Sequence, residues 1–153
     1  MCDNYKKSSL KPNTTVEESN DTYYCNPYQY ETFRKYSQRI INVKDWSVKE
    51  NFYFFYTSIY NARLILKDAK ISCCLDYSSY GSYDGILLSK INPNQNMSDL
   101  IDFYGSDKYI QVAFAINDKD VKGYKKKALK KNKLLFINNY IDLNLCYFFI
   151  IIR

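Results

Sequence analysis

The run YIQVAFAI at residues 109–116 constrains the fold more than any other stretch of the chain. It is nearly continuous in apolar and β-branched residues and closes on the turn sequence NDKD, so it reads as a strand. FYFFYT (residues 52–57) is a second strand, aromatic and bounded by polar residues. ILLS (residues 86–89) is a third, ended by INPNQN, where Pro93 forbids continuation. Between the second and third, Ser58 stands as a helix N-cap, and Ile59, Ala62, Ile65, Leu66 and Ala69 form one apolar stripe. Residues 71–74 read as a short strand, and LDYSSYGSYDG as a loop on its Ser, Gly and Asp content.

Around this centre the signals are weaker. Residues 1–28 are polar and irregular. From Glu31 the spacing of Phe33, Tyr36 and Ile40 predicts a short amphipathic helix to about Asn42. Trp46 falls in a connector and is expected to pack on the domain. Met97, Leu100, Ile101 and Tyr104 mark another short helix, and LLFI and LCYFFIII are apolar bursts separated by NNYIDLN. The order helix, β, α, β, β, α, β, then β-rich predicts an α+β domain with a small, mainly antiparallel or mixed sheet, not a doubly wound parallel one. The expected division is an arm with a short helix (1–44), a core (45–121), a lysine-rich segment (122–133) and apolar C-terminal strands (134–153). At 153 residues the chain suits one domain.

Residues 134–152 also have about the length of a membrane span, flanked by lysines and Arg153. Asn138, Asn139, Asp142 and Asn144 sit in the middle, and an aspartate at the bilayer centre costs roughly 3 kcal/mol. Two strands joined by a polar turn accommodate them without that cost, so strands are expected and a tail anchor is the lesser alternative.

The formal charge of +6 is local. Lys122, Lys125, Lys126, Lys127, Lys130, Lys131 and Lys133 fall in one acid-free run, and without these seven the balance is 15 basic to 16 acidic. Such a block attracts nucleic acid or an anionic surface; the plainer reading is a solvated helix face or a loose connector. The chain has no histidine, which excludes Ser-His-Asp and Cys-His pairs, histidine metal ligands and a histidine general base. Five cysteines, with no C-x-x-C spacing and with Cys73 and Cys74 adjacent, suggest neither a disulfide framework nor a zinc site. With no apolar signal core in MCDNYKKSSLKPN, a reducing cytoplasmic location is expected.

Taken together, Phe54-Phe55-Tyr56-Thr57-Ser58, the helix Arg63-Leu64-Ile65-Leu66-Lys67-Asp68-Ala69-Lys70-Ile71 and the strand Gly85-Ile86-Leu87-Leu88-Ser89-Lys90-Ile91-Asn92-Pro93 form an ordered series. The series resembles the HYD-signature ADP-ribosyltransferase-like family, over roughly residues 52–121. Members open with an aromatic-His-Tyr-Thr-Ser strand end, followed by a helix of the type xxILxxGxI and a strand of the type GVYLTxLxP. The resemblance implies a split sheet, NAD as substrate, and transfer of ADP-ribose to a protein or nucleic acid. Phe55, Tyr56, Thr57, Ser58, Gly85, Leu87 and Ser89 would then hold the dinucleotide, and Asp118 or Asp120 would orient the acceptor. Phe55 stands where the family usually has histidine, and Leu87 where it has a stacking tyrosine, a role Tyr80 or Tyr83 would have to take. No glutamate follows Glu50, so Asp118 and Asp120 are the late acids.

Independently of the resemblance, a strand ending in Tyr56-Thr57-Ser58 and feeding a helix start offers hydroxyls and amides to an anion. The same residues equally read as an ordinary strand end and cap. The resemblance thus leaves open a transferase and an inactive ligand- or protein-binding module of the same fold. The charge alone points to a third reading, a nucleic-acid contact through the lysine run with tyrosines as stacking surfaces.

Overall fold

In a computed structural model, the residues described are 26–47, 51–72, 86–95, 98–121, 126–129, 134–137 and 140–153. They contain three short α-helices, α1 (Glu31–Lys35), α2 (Ile59–Asp68) and α3 (Ser98–Tyr104). The strands are β1 (Ile40–Asn42), β2 (Phe52–Thr57), β3 (Lys70–Ile71), β4 (Ile86–Ser89), β5 (Val112–Asn117), β6 (Lys126–Leu129), β7 (Leu134–Ile137), β8 (Ile141–Asp142) and β9 (Phe148–Ile152). Seven of these form one sheet in the order β1-β9-β5-β2-β4-β7-β6, and β3 and β8 pair as a separate ribbon. The β1–β9 pair is parallel and every other pair is antiparallel, so the sheet is mixed and the class is α+β.

All six residues of β5 are buried. Its side chains divide by the period of two that a strand imposes. Val112, Phe114 and Ile116 enter one core together with Phe33 of α1, Ile59, Ala62, Ile65 and Leu66 of α2, and Ile71 and Ile141 of the small ribbon. Ala113 and Ala115 enter a second core with Trp46, Phe54, Tyr56, Leu100 of α3 and Ile110. The sheet is therefore covered on both sides. The two alanines leave room on the second face for Trp46, which packs edge-on against Phe52, Phe54 and Phe149 at 5.4–6.0 Å between ring centroids.

α2 starts where Ser58 Oγ accepts from Asn61 N at 3.1 Å. It ends at Ala69, whose φ of 53° places a Cβ-bearing residue in the left-handed region. Its buried residues, Ile59, Tyr60, Ala62, Ile65 and Leu66, follow the expected stripe except that Ala69 has become the cap.

Four expectations are corrected. The helix expected from Glu31 to Asn42 stops at Lys35, and after a 3-10 turn at Ser37–Arg39 the chain becomes β1. The reason is long-range, since Ile40, Ile41 and Asn42 pair with Ile150, Ile151 and Ile152. The strand read at residues 109–116 begins instead at Val112, because Asp107–Ile110 is a 3-10 turn with Ser106 Oγ accepting from Lys108 N. Within the lysine-rich segment, Lys126–Leu129 is neither helix nor loose connector but edge strand β6, paired with β7. The polar connector between the last two apolar bursts contains β8, which pairs with β3.

Residues 134–152 contribute β7, β8 and β9, and among the described residues no helix is long and apolar enough to cross a membrane. The irregular reading of residues 1–25 and the loop at 75–85 lie outside the described residues, as do Cys2, Cys25, Cys73, Cys74 and Met97.

The left-handed cap gives a direct test of the α2 boundary. Ala69→Gly should relieve the Cβ strain and stabilise the fold by about 0.5–1 kcal/mol, read as a higher urea midpoint at unchanged slope.

Candidate functional site

The large sheet is joined weakly at one seam. β2 pairs with β5 along all six of its residues, and β4 pairs with β7 along all four. Between β2 and β4 a single register pair remains, Phe54 opposite Ser89. Continuing that antiparallel register would set Tyr56 opposite Leu87 and Thr57 opposite Ile86, but the ladder does not extend there. No register pair is present on the side leading to Ser58 and the start of α2, where the resemblance would put a dinucleotide.

The candidate residues fall on different faces of this seam. Phe55 lies on the α2 side, 5% exposed, with its ring 6.5 Å from that of Phe114. Thr57 and Ser58 are buried at the strand end. Tyr56 and Leu87 belong to the opposite core, Tyr56 being 1% exposed and Leu87 half-buried. Gly85, Tyr80 and Tyr83 lie outside the described residues.

Tyr56 and Ser89 do converge, and they converge on one residue. The Tyr56 hydroxyl donates to the Ile91 carbonyl at 2.6 Å, and Ser89 Oγ accepts from Ile91 N at 2.9 Å. Past Ser89 the chain thus folds over the second face and is held at both polar atoms of Ile91. Burial raises the Tyr56 phenol well above its ordinary value, with Arg153 acting weakly in the other direction. The next residues continue the fastening. Trp46 Nε1 donates to Asn92 Oδ1 at 2.7 Å, Asn94 Nδ2 donates to the Trp46 carbonyl at 3.0 Å, and Asn92 N donates to Gln95 Oε1 at 3.1 Å. The role of Trp46 is packing, as its connector position suggested.

At the start of α2 two of the amides an anion would use are engaged. Ile59 N donates to Gln111 Oε1 at 3.0 Å, and Asn61 N donates to Ser58 Oγ. Gln111 was not singled out by the sequence, because it reaches Ile59 across 52 residues. Its position just before β5, which sets Val112 opposite Thr57, is what brings it there.

Asp118 and Asp120 are elsewhere. They follow β5 at the end where Asn117 faces Phe52, whereas Val112 faces Thr57 at the other end. At ~3.3 Å per residue the strand separates the two ends by about 17 Å. Asp120 Oδ2 accepts from Tyr147 N at 2.8 Å, and Asp118 N donates to the Asn51 carbonyl at 3.1 Å. The Tyr53 phenol is raised by burial and, secondarily, by the nearby Asp118 charge. The structure therefore joins Tyr56 to Ser89 and Ser58 to Thr57, but joins neither pair to the late aspartates.

Beside Asp120, the Cys146 thiol donates to the Asp142 carbonyl at 3.2 Å. Burial, then the Asp120 and Asp142 charges, push it up to about 11. Among the described residues no group of three or more His, Cys, Asp or Glu side chains is placed to hold a metal ion.

Two outcomes follow. Tyr56→Phe and Ser89→Ala should each cost about 1–2 kcal/mol in urea unfolding, and because both hold Ile91, their effects should depart from additivity by ~0.5 kcal/mol or more in a double-mutant cycle. A thiol whose folded pKa is raised favours the folded state below its ordinary value of 9.0, and that contribution is lost as pH climbs through the folded value. Alkylation of Cys146 in the folded protein should accordingly reach its half-maximal rate near pH 11, against about 9 in urea.

Compared with the models of known protein families, with curated proteins and with solved structures, the chain matches none.

Proposed function

We propose that this chain is a non-catalytic binding module built on an ADP-ribosyltransferase-like split sheet. The observation that carries this reading is the Tyr56–Ile91–Ser89 clasp, which fastens the seam from within at the place where the resemblance puts a dinucleotide. Two features support the likeness itself. The two strands that bear the resemblance share a single register pair, and the glycine of the helix pattern xxILxxGxI falls on Ala69, where the backbone is left-handed.

Three features argue against transferase chemistry in that frame. Phe55 supplies a packed hydrocarbon ring where the pattern has histidine, with no donor for a ribose. The amides of Ile59 and Asn61 are spent on Gln111 and Ser58 rather than offered to a pyrophosphate. Asp118 and Asp120 lie about 17 Å along the sheet from Ser58, far beyond contact with a ribose held there, and even ~1 Å of misplacement costs on the order of a hundredfold in rate. The residues present do not fit NAD as a reacting group.

Incubating the full chain at high concentration with NAD should release no nicotinamide above the buffer rate, and NAD should leave the melting temperature unchanged. Release that exceeds buffer and is lost in Asp120→Asn would overturn this reading in favour of a transferase acting on a macromolecular acceptor.

A further inference from the structure

Between Asp120 and Asp142 the chain holds seven lysines and no acidic residue. The topology gives this run a definite place. Lys126–Leu129 is β6, the last strand of the large sheet, and its partner is β7 (Leu134–Ile137). The residues that join the two strands, 130–133, read Lys-Lys-Asn-Lys. An edge strand commonly carries a lysine or two, which discourages a further strand from adding to it. Lys126 and Lys127 meet that need. The other five lysines, two ahead of β6 and three between β6 and β7, exceed it. Charge of one sign at this density repels itself, and an opposing polyanion removes the repulsion. An aromatic ring stands beside the run. Tyr140 is 51% exposed, and Lys70 Nζ lies 4.5 Å from its ring centroid. Tyr140 comes three residues after Ile137, at most about 11 Å along the chain, and Ile137 pairs with Lys126. It immediately precedes β8, whose Asp142 pairs with Lys70 of β3. The small ribbon thus carries a ring capped by a cation close to the basic rim of the sheet.

We propose that the β6 edge and Tyr140 together bind a single-stranded nucleic acid, its phosphates meeting the lysines and a base stacking on the ring. Positive charge beside an exposed ring is what a single strand uses, because each linkage brings a phosphate and every base has a π face. An acidic peptide would use the charge and leave the ring idle. A membrane surface would call for apolar side chains to insert, and the residues joining β6 to β7 include none. β6 is two strands removed from β4, so the surface is separate from the seam and stands whether or not the chain cleaves NAD. It names a partner that the binding-module reading leaves open.

The test is fluorescence anisotropy of a labelled oligothymidylate of ~15 nucleotides, titrated with the full chain at several salt concentrations. Saturable binding is expected, with log affinity falling against log salt at a slope of about −3 as roughly four phosphates are neutralised. Changing Lys126, Lys127, Lys130 and Lys131 together to Gln should weaken binding at least about tenfold and flatten the slope. Tyr140→Leu should weaken it about fivefold or more at unchanged slope, since it removes a stacking surface and no charge. A parent chain that does not bind the oligonucleotide at low salt, or a quadruple variant that binds as the parent does, overturns the proposal. Equal affinity for polyglutamate of matched charge, or no effect of Tyr140→Leu, overturns the nucleic-acid assignment in favour of a general polyanion surface. Binding to phosphatidylserine vesicles without binding to the oligonucleotide overturns it in favour of a membrane. Should the quadruple variant fail to fold, the salt slope and the polyglutamate comparison in the parent chain still decide.

Discussion

A strand with apolar side chains on both sides has no face to leave in water, and β5 imposes that condition on everything around it. Its first face takes bulky residues, Val112, Phe114 and Ile116, and is met by α2, by Phe33 of α1 and by the small ribbon. Its second face presents Ala113 and Ala115, and the shallow surface they make admits an indole. Covering two faces with so few helical residues requires irregular chain to act as a layer. The segment from Ser89 to Gln95 does this on the second face, where side chains rather than a ladder meet both polar groups of Ile91 and the Asn92 amide.

The seam between β2 and β4 follows from the same demand. With one register pair holding the two strands, the sheet gains little there from backbone bonding, and the Tyr56 hydroxyl compensates by anchoring Ile91 across the second face. A tyrosine that binds a ligand and a tyrosine that clamps a neighbouring loop look identical in a linear string. What separates them is the distance to Ile91 and the near-complete burial of the ring.

Elements fixed by local composition were legible in the sequence. FYFFYT, ILLS and LLFI became strands with the expected ends, and Ser58 caps α2 as its position suggested. Elements fixed by a distant partner were not. Ile40 and Ile41 satisfy a helical spacing, yet residues more than a hundred positions away recruit them into a strand. Lys126–Leu129 contains nothing that announces a strand, and it becomes one because β7 offers an edge. The candidate site shows the same division. Ser58 and Thr57 could be placed from their neighbours, whereas Gln111, Ile91 and Asn92 meet Ile59, Tyr56 and Trp46 only after the sheet has assembled.

The place of β9 has a consequence for synthesis on the ribosome. It lies between β1 and β5, so both wait for residues 148–152 before their hydrogen-bonding edges are covered. Until that segment leaves the exit tunnel, the nascent chain carries a strand whose six residues are all buried in the finished sheet with one side bare, a natural target for a chaperone that reads extended hydrophobic segments.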